Sequence, residues 1–148
     1  MLINFSLILP CYNEEKNIFI ICKEFSNLPI KNYKAELILV NNGSTDKTRY
    51  QIQKAIKNNK KKNIKIKLIN LKKNKGYGGG IYEGLKNASG KYIGWSHADL
   101  QTPLIDYFKL YNLIKNKKNI LGKGYRTNNR KFDGIISFFH ESLATLIL

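Results

Sequence analysis

Two short, almost wholly apolar runs, 5–9 (Phe-Ser-Leu-Ile-Leu) and 37–40 (Leu-Ile-Leu-Val), are each followed by a segment whose apolar side chains recur at helical spacing. A strand that is apolar on both sides has to be covered on both faces, which is the environment of an inner strand in a parallel sheet. Parallel neighbours need a crossover, and a helix between them supplies it. Few other architectures accept such a chain.

The same alternation continues to the far end. After the first run, Ile18, Ile21, Cys22 and Phe25 predict a helix that starts near Asn13, as its cap, and ends near Asn27. After the second, the turn Asn41-Asn42-Gly43-Ser44-Thr45-Asp46 precedes a helix carrying Ile52, Ala55 and Ile56. Ile64, Ile66 and Leu68 alternate with lysines, which predicts a strand with one wet face near a sheet edge. The glycine-rich stretch 74–80 leads into a helix over 81–87, and Ser89-Gly90 closes it. Residues 91–96, rich in aromatic and β-branched side chains, predict another strand. Thr102 as cap and Pro103 at the first helical position then open a helix with Leu104, Tyr107, Phe108, Tyr111 and Ile114 on one side. A glycine-containing strand is expected over 120–125. With no internal repeat, this is an α/β fold of three layers around a mainly parallel, doubly wound sheet.

At 148 residues the chain is long enough for one domain. No apolar run approaches the roughly 20 residues of a membrane span. The first ten residues lack a basic region and a small-residue cleavage site, so they read as a first strand and the chain as cytoplasmic. Cys11 and Cys22 form neither a CxxC pair nor a disulfide framework and read as reduced, packed thiols. The formal charge of +16 raises nucleic acid, an anionic membrane surface and a phosphorylated substrate as partners. Its lysines concentrate at 57–67, 72–75 and 115–118, among asparagines between apolar segments, as on solvated loops and helix ends. No recognition motif or aromatic-basic platform accompanies them, which argues against a nucleic-acid binder.

Three strand ends collect polar side chains: 12–15, 41–46 and 97–101. In a parallel sheet they project to one edge, where open α/β sheets bind ligands. Asp99 is the obvious first ligand for a divalent cation bridging two phosphates, and His97 and Gln101 add a nitrogen and a carbonyl oxygen. Arg126 and Arg130 supply forked donors for phosphate.

Four motifs in this order and spacing, covering 4–130, resemble family 2 glycosyltransferases. They are Ser6-Leu-Ile-Leu-Pro-Cys-Tyr-Asn-Glu-Glu15, Glu36-Leu-Ile-Leu-Val-Asn-Asn-Gly-Ser-Thr-Asp46, the glycine-rich 74–80, and Ala98-Asp-Leu-Gln101. The flavour is that of the dolichyl-phosphate mannose synthase and polyprenyl-phosphate branch. The resemblance implies a Rossmann-like GT-A nucleotide-sugar fold, with 1–131 as the N-terminal part of a catalytic domain. Beyond it, the apolar residues of 132–148, set against Asp133, His140 and Glu141, predict an amphipathic helix for a membrane interface, a partner chain or a second copy. The resemblance also implies that Pro10, Tyr12 and Glu14 lie near base and ribose and that the turn at Asn41 and Gly43 touches the base. Gly76, His97 and Ala98 join the nucleotide-sugar site, with Arg126 and Arg130 at the phosphates. Asp99, Gln101 and Arg126 carry catalysis, and Asp99, with His97 and Gln101, holds Mg²⁺ or Mn²⁺. The donor would be a UDP- or GDP-sugar, and the acceptor a polyprenyl phosphate or another cell-envelope glycan, reached at the inner membrane face.

Two departures stand out. Asn41 and Asn42 replace the two aspartates usual in the second motif, and His97 replaces the first acid of Asp-x-Asp. Both remove negative charge, and an imidazole moves metal preference from Mg²⁺ toward Mn²⁺. Family catalytic domains also run past this length, so a truncated or split reading frame is expected. These features keep an alternative open: a catalytically weak or inactive nucleotide-sugar-binding module. A sugar nucleotidyltransferase would instead carry a glycine-rich basic loop where Tyr12-Asn13-Glu14-Glu15 stands.

Overall fold

The apolar runs form the centre of a four-stranded, all-parallel sheet in the computed structural model, which describes residues 2–117 and 120–124. In chain order the elements are β1 (Ile3–Cys11), α1 (Ile18–Ser26), β2 (Ala35–Asn42), α2 (Thr48–Asn58), β3 (Ile64–Leu71), α3 (Gly76–Lys86), β4 (Gly90–Trp95) and α4 (Leu104–Ile114). The strand order is β3-β2-β1-β4. β1 and β2 are thus inner strands, and every residue of β2 is buried. β3 is an edge strand, as its alternation with lysine predicts. In the register, Leu7 lies opposite Leu37 and Cys11 opposite Asn41, so both inner strands end at one level.

Alternate residues of β1 point to opposite layers. Leu7, Leu9 and Cys11 join one core with Ile18, Ile21 and Phe25 of α1, Ile52 of α2, and Leu104, Phe108 and Tyr111 of α4. The ring of Phe5 is the hub of that core, 4.8 Å from Tyr111 and 6.1 Å from Phe25 between centroids. Ile8 belongs to the smaller core on the other face, beneath α3. α3 comes close because glycine faces the sheet: a Cβ on Gly84 would lie 2.2 Å from Ile8 Cγ2, and one on Gly80 would lie 2.8 Å from Pro10 Cβ.

Near the start of β2, the wholly buried Glu36 sits within a closed set of partners. Its carboxylate meets Lys67 Nζ at 2.9 Å, accepts Ser6 Oγ–H at 2.8 Å and accepts the Ser89 N–H at 3.0 Å. Burial pushes its acidity down, but the ammonium and the two donors outweigh that and hold the carboxyl below its ordinary value.

Several boundaries differ from the sequence reading. α1 begins at Ile18, because Asn13, at φ 57°, spends its side chain on the neighbouring loop and caps nothing. α3 begins at Gly76, so the glycine-rich segment is the helix's first turns and not a loop leading to residue 81. Pro103 is the N-cap of α4 in extended geometry (ψ 133°), and Thr102 makes no capping bond; the anchor of this helix start is Leu104, 2% exposed. Residues 120–124 form no strand, with Leu121 83% exposed and two glycines that disfavour extended pairing. The C-terminal helix expected over 132–148, like Tyr125, Arg126 and Arg130, lies outside the described residues. Among the described residues no helix is long and apolar enough to cross a membrane.

Candidate active site at the carboxyl ends of the strands

The loops after β1 and β2 are stitched to each other in both directions. Asn13 Oδ1 accepts the Thr45 N–H at 2.9 Å, and the Asn13 N–H donates to Ser44 Oγ at 3.1 Å. The Glu14 N–H donates to Thr48 Oγ1 at 2.8 Å, and the Glu15 N–H to Asp46 Oδ2 at 3.1 Å. Lys47 returns the exchange, its N–H donating to Glu15 Oε2 at 2.8 Å. Asp46 accepts from Thr48 as well, and these donors hold its carboxyl below its ordinary value against the opposing effect of burial. Much of the polar character of 44–48 therefore serves to fix the loop that carries Tyr12 and Glu14.

The start of α3 is fixed from β2. Asn42 Nδ2 donates to the Gly76 carbonyl at 2.9 Å and to Asn74 Oδ1 at 3.2 Å, while Asn42 Oδ1 accepts the Lys75 N–H at 3.0 Å. Gly43 backs this connection: at φ 72° its Cβ would fall 2.4 Å from the Asn74 nitrogen, so no other residue fits.

Between these two supports and the end of β4 lies a cleft of about 240 Å³. Pro10 lines it from β1 and Tyr12 and Glu14 from the loop after it, Asn74 from the loop before α3 and Gly76 and Tyr77 from α3 itself, and His97, Ala98 and Asp99 from the loop after β4. The imidazole of His97 stacks flat on Tyr77, centroids 4.3 Å apart and planes 2° from parallel. Burial pushes the Tyr77 hydroxyl up, with Tyr107 and Asp99 adding to it. Asp99 is exposed, and its Oδ1 accepts the Gln101 N–H at 3.0 Å. The next residue, Leu100, is held at φ 62°, a strained conformation for leucine, and packs against the larger core. Glu14 accepts from Asn17 Nδ2 at 2.6 Å. Burial raises its pKa, and the charges of Asp99 and Asp46 add to that against the Asn17 bond. Burial likewise pushes the Cys11 thiol well up, so this cleft residue stays a neutral, unreactive thiol.

Of the sequence-predicted site residues, Pro10, Tyr12, Glu14, Gly76, His97, Ala98 and Asp99 come together in the cleft. Asn41 and Gly43 do not line it. Asn41 is buried and donates from Nδ2 to Asn70 Oδ1 at 2.7 Å. Gln101 is exposed outside the cleft and reaches Asp99 through its main chain. Tyr77 and the latch residue Asn42 were not singled out from sequence as site residues. An aromatic side chain set among four glycines was the available signal for Tyr77, and an amide able to donate and accept at a strand end was that for Asn42. Among the described residues, no three His, Cys, Asp or Glu side chains form a group able to hold a metal.

The sequence profile described as "Glycosyl transferase family 2" matches residues 6–138. The chain belongs to this family.

Among curated relatives, the domain is 32% identical over 125 residues to a poly-beta-1,6-N-acetyl-D-glucosamine synthase of Staphylococcus aureus (strain COL), covering 84% of this chain and 28% of that protein. It is 32% identical over 134 residues to a dolichyl-phosphate beta-glucosyltransferase of Trichomonas vaginalis, covering 84% of this chain and 40% of that one. This family 2 chain thus spans well under half the length of these relatives. A solved mannosyltransferase from Pyrobaculum calidifontis, in complex with GDP-Man and Mn²⁺, superposes with a TM-score of 0.71 at 20% identity, over 92% of this chain and 39% of that one. S. aureus TarS (residues 1–349) with UDP-GlcNAc gives 0.61 at 24% identity, over 87% and 38%. The fold of the domain is that of these GT-A structures.

Proposed function

We propose that this family 2 domain binds a UDP- or GDP-linked sugar in the cleft and passes the sugar, with inversion, to a polyprenyl phosphate or another cell-envelope acceptor. The observation that carries the reading is the convergence of Tyr12, Glu14, Tyr77, His97 and Asp99 on one cleft outside the carboxyl ends of parallel strands. Pro10 and Tyr12 offer flat apolar surface for a base, while Glu14 is a hydrogen-bond acceptor suited to ribose hydroxyls.

The donor set fits a divalent cation on a diphosphate. Such an ion takes few protein ligands and fills its sphere with phosphate oxygens and water, so one exposed carboxylate, Asp99, with the His97 imidazole two residues away, is sufficient protein chemistry. Held there, the cation would neutralise the charge that grows on the leaving diphosphate. The acceptor oxygen attacks the anomeric carbon as the bond from that carbon to the diphosphate oxygen breaks, and the nucleoside diphosphate leaves. A phosphate acceptor is already an anion, so no side chain has to remove a proton from it. The relative named for dolichyl phosphate supports this acceptor class.

A second reading, binding without turnover, is supported by the structural use of Asn41 and Asn42, whose amides bond to Asn70 and to the Gly76 carbonyl. Calorimetry of UDP, GDP and their sugars with Mg²⁺ and Mn²⁺ tests the site: binding should need the cation and fall at least tenfold in Asp99→Ala. Unchanged affinity in that variant, with and without Mn²⁺, sinks the proposed site. A product assay with polyprenyl phosphate separates the two readings, since binding without transfer favours the second.

A further inference from the structure

A second concavity lies away from the cleft, between α1 and α2, with a volume of about 550 Å³. Phe19, Cys22, Lys23 and Ser26 line it from one side, at positions i, i+3, i+4 and i+7 of one face of α1. Gln51, Lys54, Ala55 and Asn58 line it from α2 at the same spacing. Ile66 of β3, 8% exposed, joins them from the sheet. Phe19 is 70% exposed, an unusual position for so large an apolar side chain, on a helix that buries Ile18, Ile21, Cys22 and Phe25 and leaves Ile20 42% exposed.

The charge on the groove's lining is of one sign, beside the neutral Ser26, Gln51, Asn58 and Asn59. Lys23 and Lys54 line it from the helices and Lys60 and Lys61 from the loop after α2, and no acidic residue is among the described residues that line it. Among the described residues these four ammonium groups take part in no ion pair. Apolar stems alongside the groove with charged heads in water are the disposition lysine adopts at a boundary between oil and water.

We propose that this groove takes one anionic phospholipid from a membrane surface, an apolar chain lying between α1 and α2 and the headgroup phosphate meeting the lysines. A soluble phosphate would account for the lysines and leave the apolar lining unexplained; a neutral lipid would do the reverse. The volume is that of a small-molecule site, which runs from about 300 to 1,000 Å³. Phe19 would enter the leaflet beside the bound lipid, as aromatic residues of interfacial helices do. The inference stands apart from the proposed transfer reaction and does not depend on it.

The test is flotation of the full chain with vesicles of phosphatidylcholine alone or mixed with phosphatidylglycerol, at fixed salt. The wild type should float with the anionic vesicles at least tenfold more strongly than with the neutral ones. Each lysine near an anionic leaflet is worth about fivefold, so Lys23→Gln/Lys54→Gln/Lys60→Gln should weaken binding on the order of 100-fold. Removing the same charge elsewhere, in Lys31→Gln/Lys72→Gln/Lys91→Gln, should leave it within about threefold, and Phe19→Ser should weaken it at least fivefold with an unchanged circular dichroism spectrum. Equal losses in the two triple variants would mean diffuse charge attraction and overturn the proposal. So would wild-type binding by Phe19→Ser, equal flotation with neutral vesicles, or no flotation at all.

Discussion

Asn42, the last residue of β2, donates from its amide to the main-chain carbonyl of Gly76, 2.9 Å away, while the amide oxygen accepts the Lys75 N–H at 3.0 Å. One side chain, used in both senses, joins the sheet to the first turn of α3. A carboxylate can only accept. Asn42→Asp should therefore cost about 1–3 kcal/mol at pH 7, with the Gly76 carbonyl left facing a negative charge. Part of that loss should return at pH 4, as the new carboxyl takes up a proton and regains a donor. Urea midpoints of variant and wild type at the two pH values measure it, and a difference that does not change with pH would refute this account of the latch.

Glycine-to-alanine changes within α3 should have opposite signs. At Gly84 the added Cβ would lie 2.2 Å from Ile8 Cγ2, in the buried seam between helix and sheet, so Gly84→Ala should destabilise by about 1–3 kcal/mol. At Gly78 nothing lies within 4 Å, and alanine removes backbone entropy from the unfolded chain, so Gly78→Ala should stabilise by about 0.5–1 kcal/mol. Thermal melts of the two variants decide it.

The strands and the layers were legible in the sequence because they rest on side-chain pattern. β1 and β2 are apolar on both faces and could lie nowhere but inside a covered sheet, and the lysines of β3 mark it as an edge. Helix starts were less legible because tertiary partners took over the residues that local rules assign to caps. Asn13 bonds to Thr45, 32 positions away, and the start of α3 is held by Asn42, 34 positions before Gly76. The same distance effect divides the site. Asp99, His97 and Glu14 could be named from motif spacing, whereas the stacking of Tyr77 on His97 is formed across 20 positions, and the glycines around Tyr77 do not say which ring it meets. Asn41 reads as a ligand-facing turn residue, yet its amide turns to Asn70 on the neighbouring strand.

The Glu36–Lys67 pair predicts a pH dependence of stability. Burial raises the acid's pKa, but Lys67, Ser6 and the Ser89 N–H outweigh it, so the folded value lies below the unfolded one. The stabilisation is then complete above the ordinary carboxyl pKa and is lost as pH falls through the lowered folded value. Lys67→Met leaves the carboxylate buried without its cation. Breaking such a pair costs about 3–5 kcal/mol, and the lower end applies because Lys67 is 26% exposed and water can reach the gap. Without Lys67 the effect of burial gains weight, so the deficit relative to wild type should shrink on acidification. Urea midpoints between pH 7 and 3.5 follow both effects; a deficit that grows toward low pH would contradict the assignment.

His97 lies two residues before Asp99, and both line the cleft. His97→Asp would set a second carboxylate beside Asp99 and take away the imidazole. Carboxylate oxygens suit Mg²⁺, whereas an imidazole nitrogen favours Mn²⁺ and other transition ions. On the proposed function, UDP or GDP should bind the wild type better with Mn²⁺ than with Mg²⁺, and His97→Asp should raise the Mg²⁺-supported affinity to at least the Mn²⁺ level. The substitution also frees one face of Tyr77, and loss of an aromatic contact costs about 0.5–1.5 kcal/mol. That loss acts on folding whichever ion is present, so the ratio of the two ion-supported affinities isolates the ligand effect from it. Calorimetric titration of both nucleotides into both proteins, with each ion in turn, gives that ratio. An unchanged ratio would show that position 97 does not touch the cation, leaving Asp99 as its side-chain ligand among the cleft residues that follow β4.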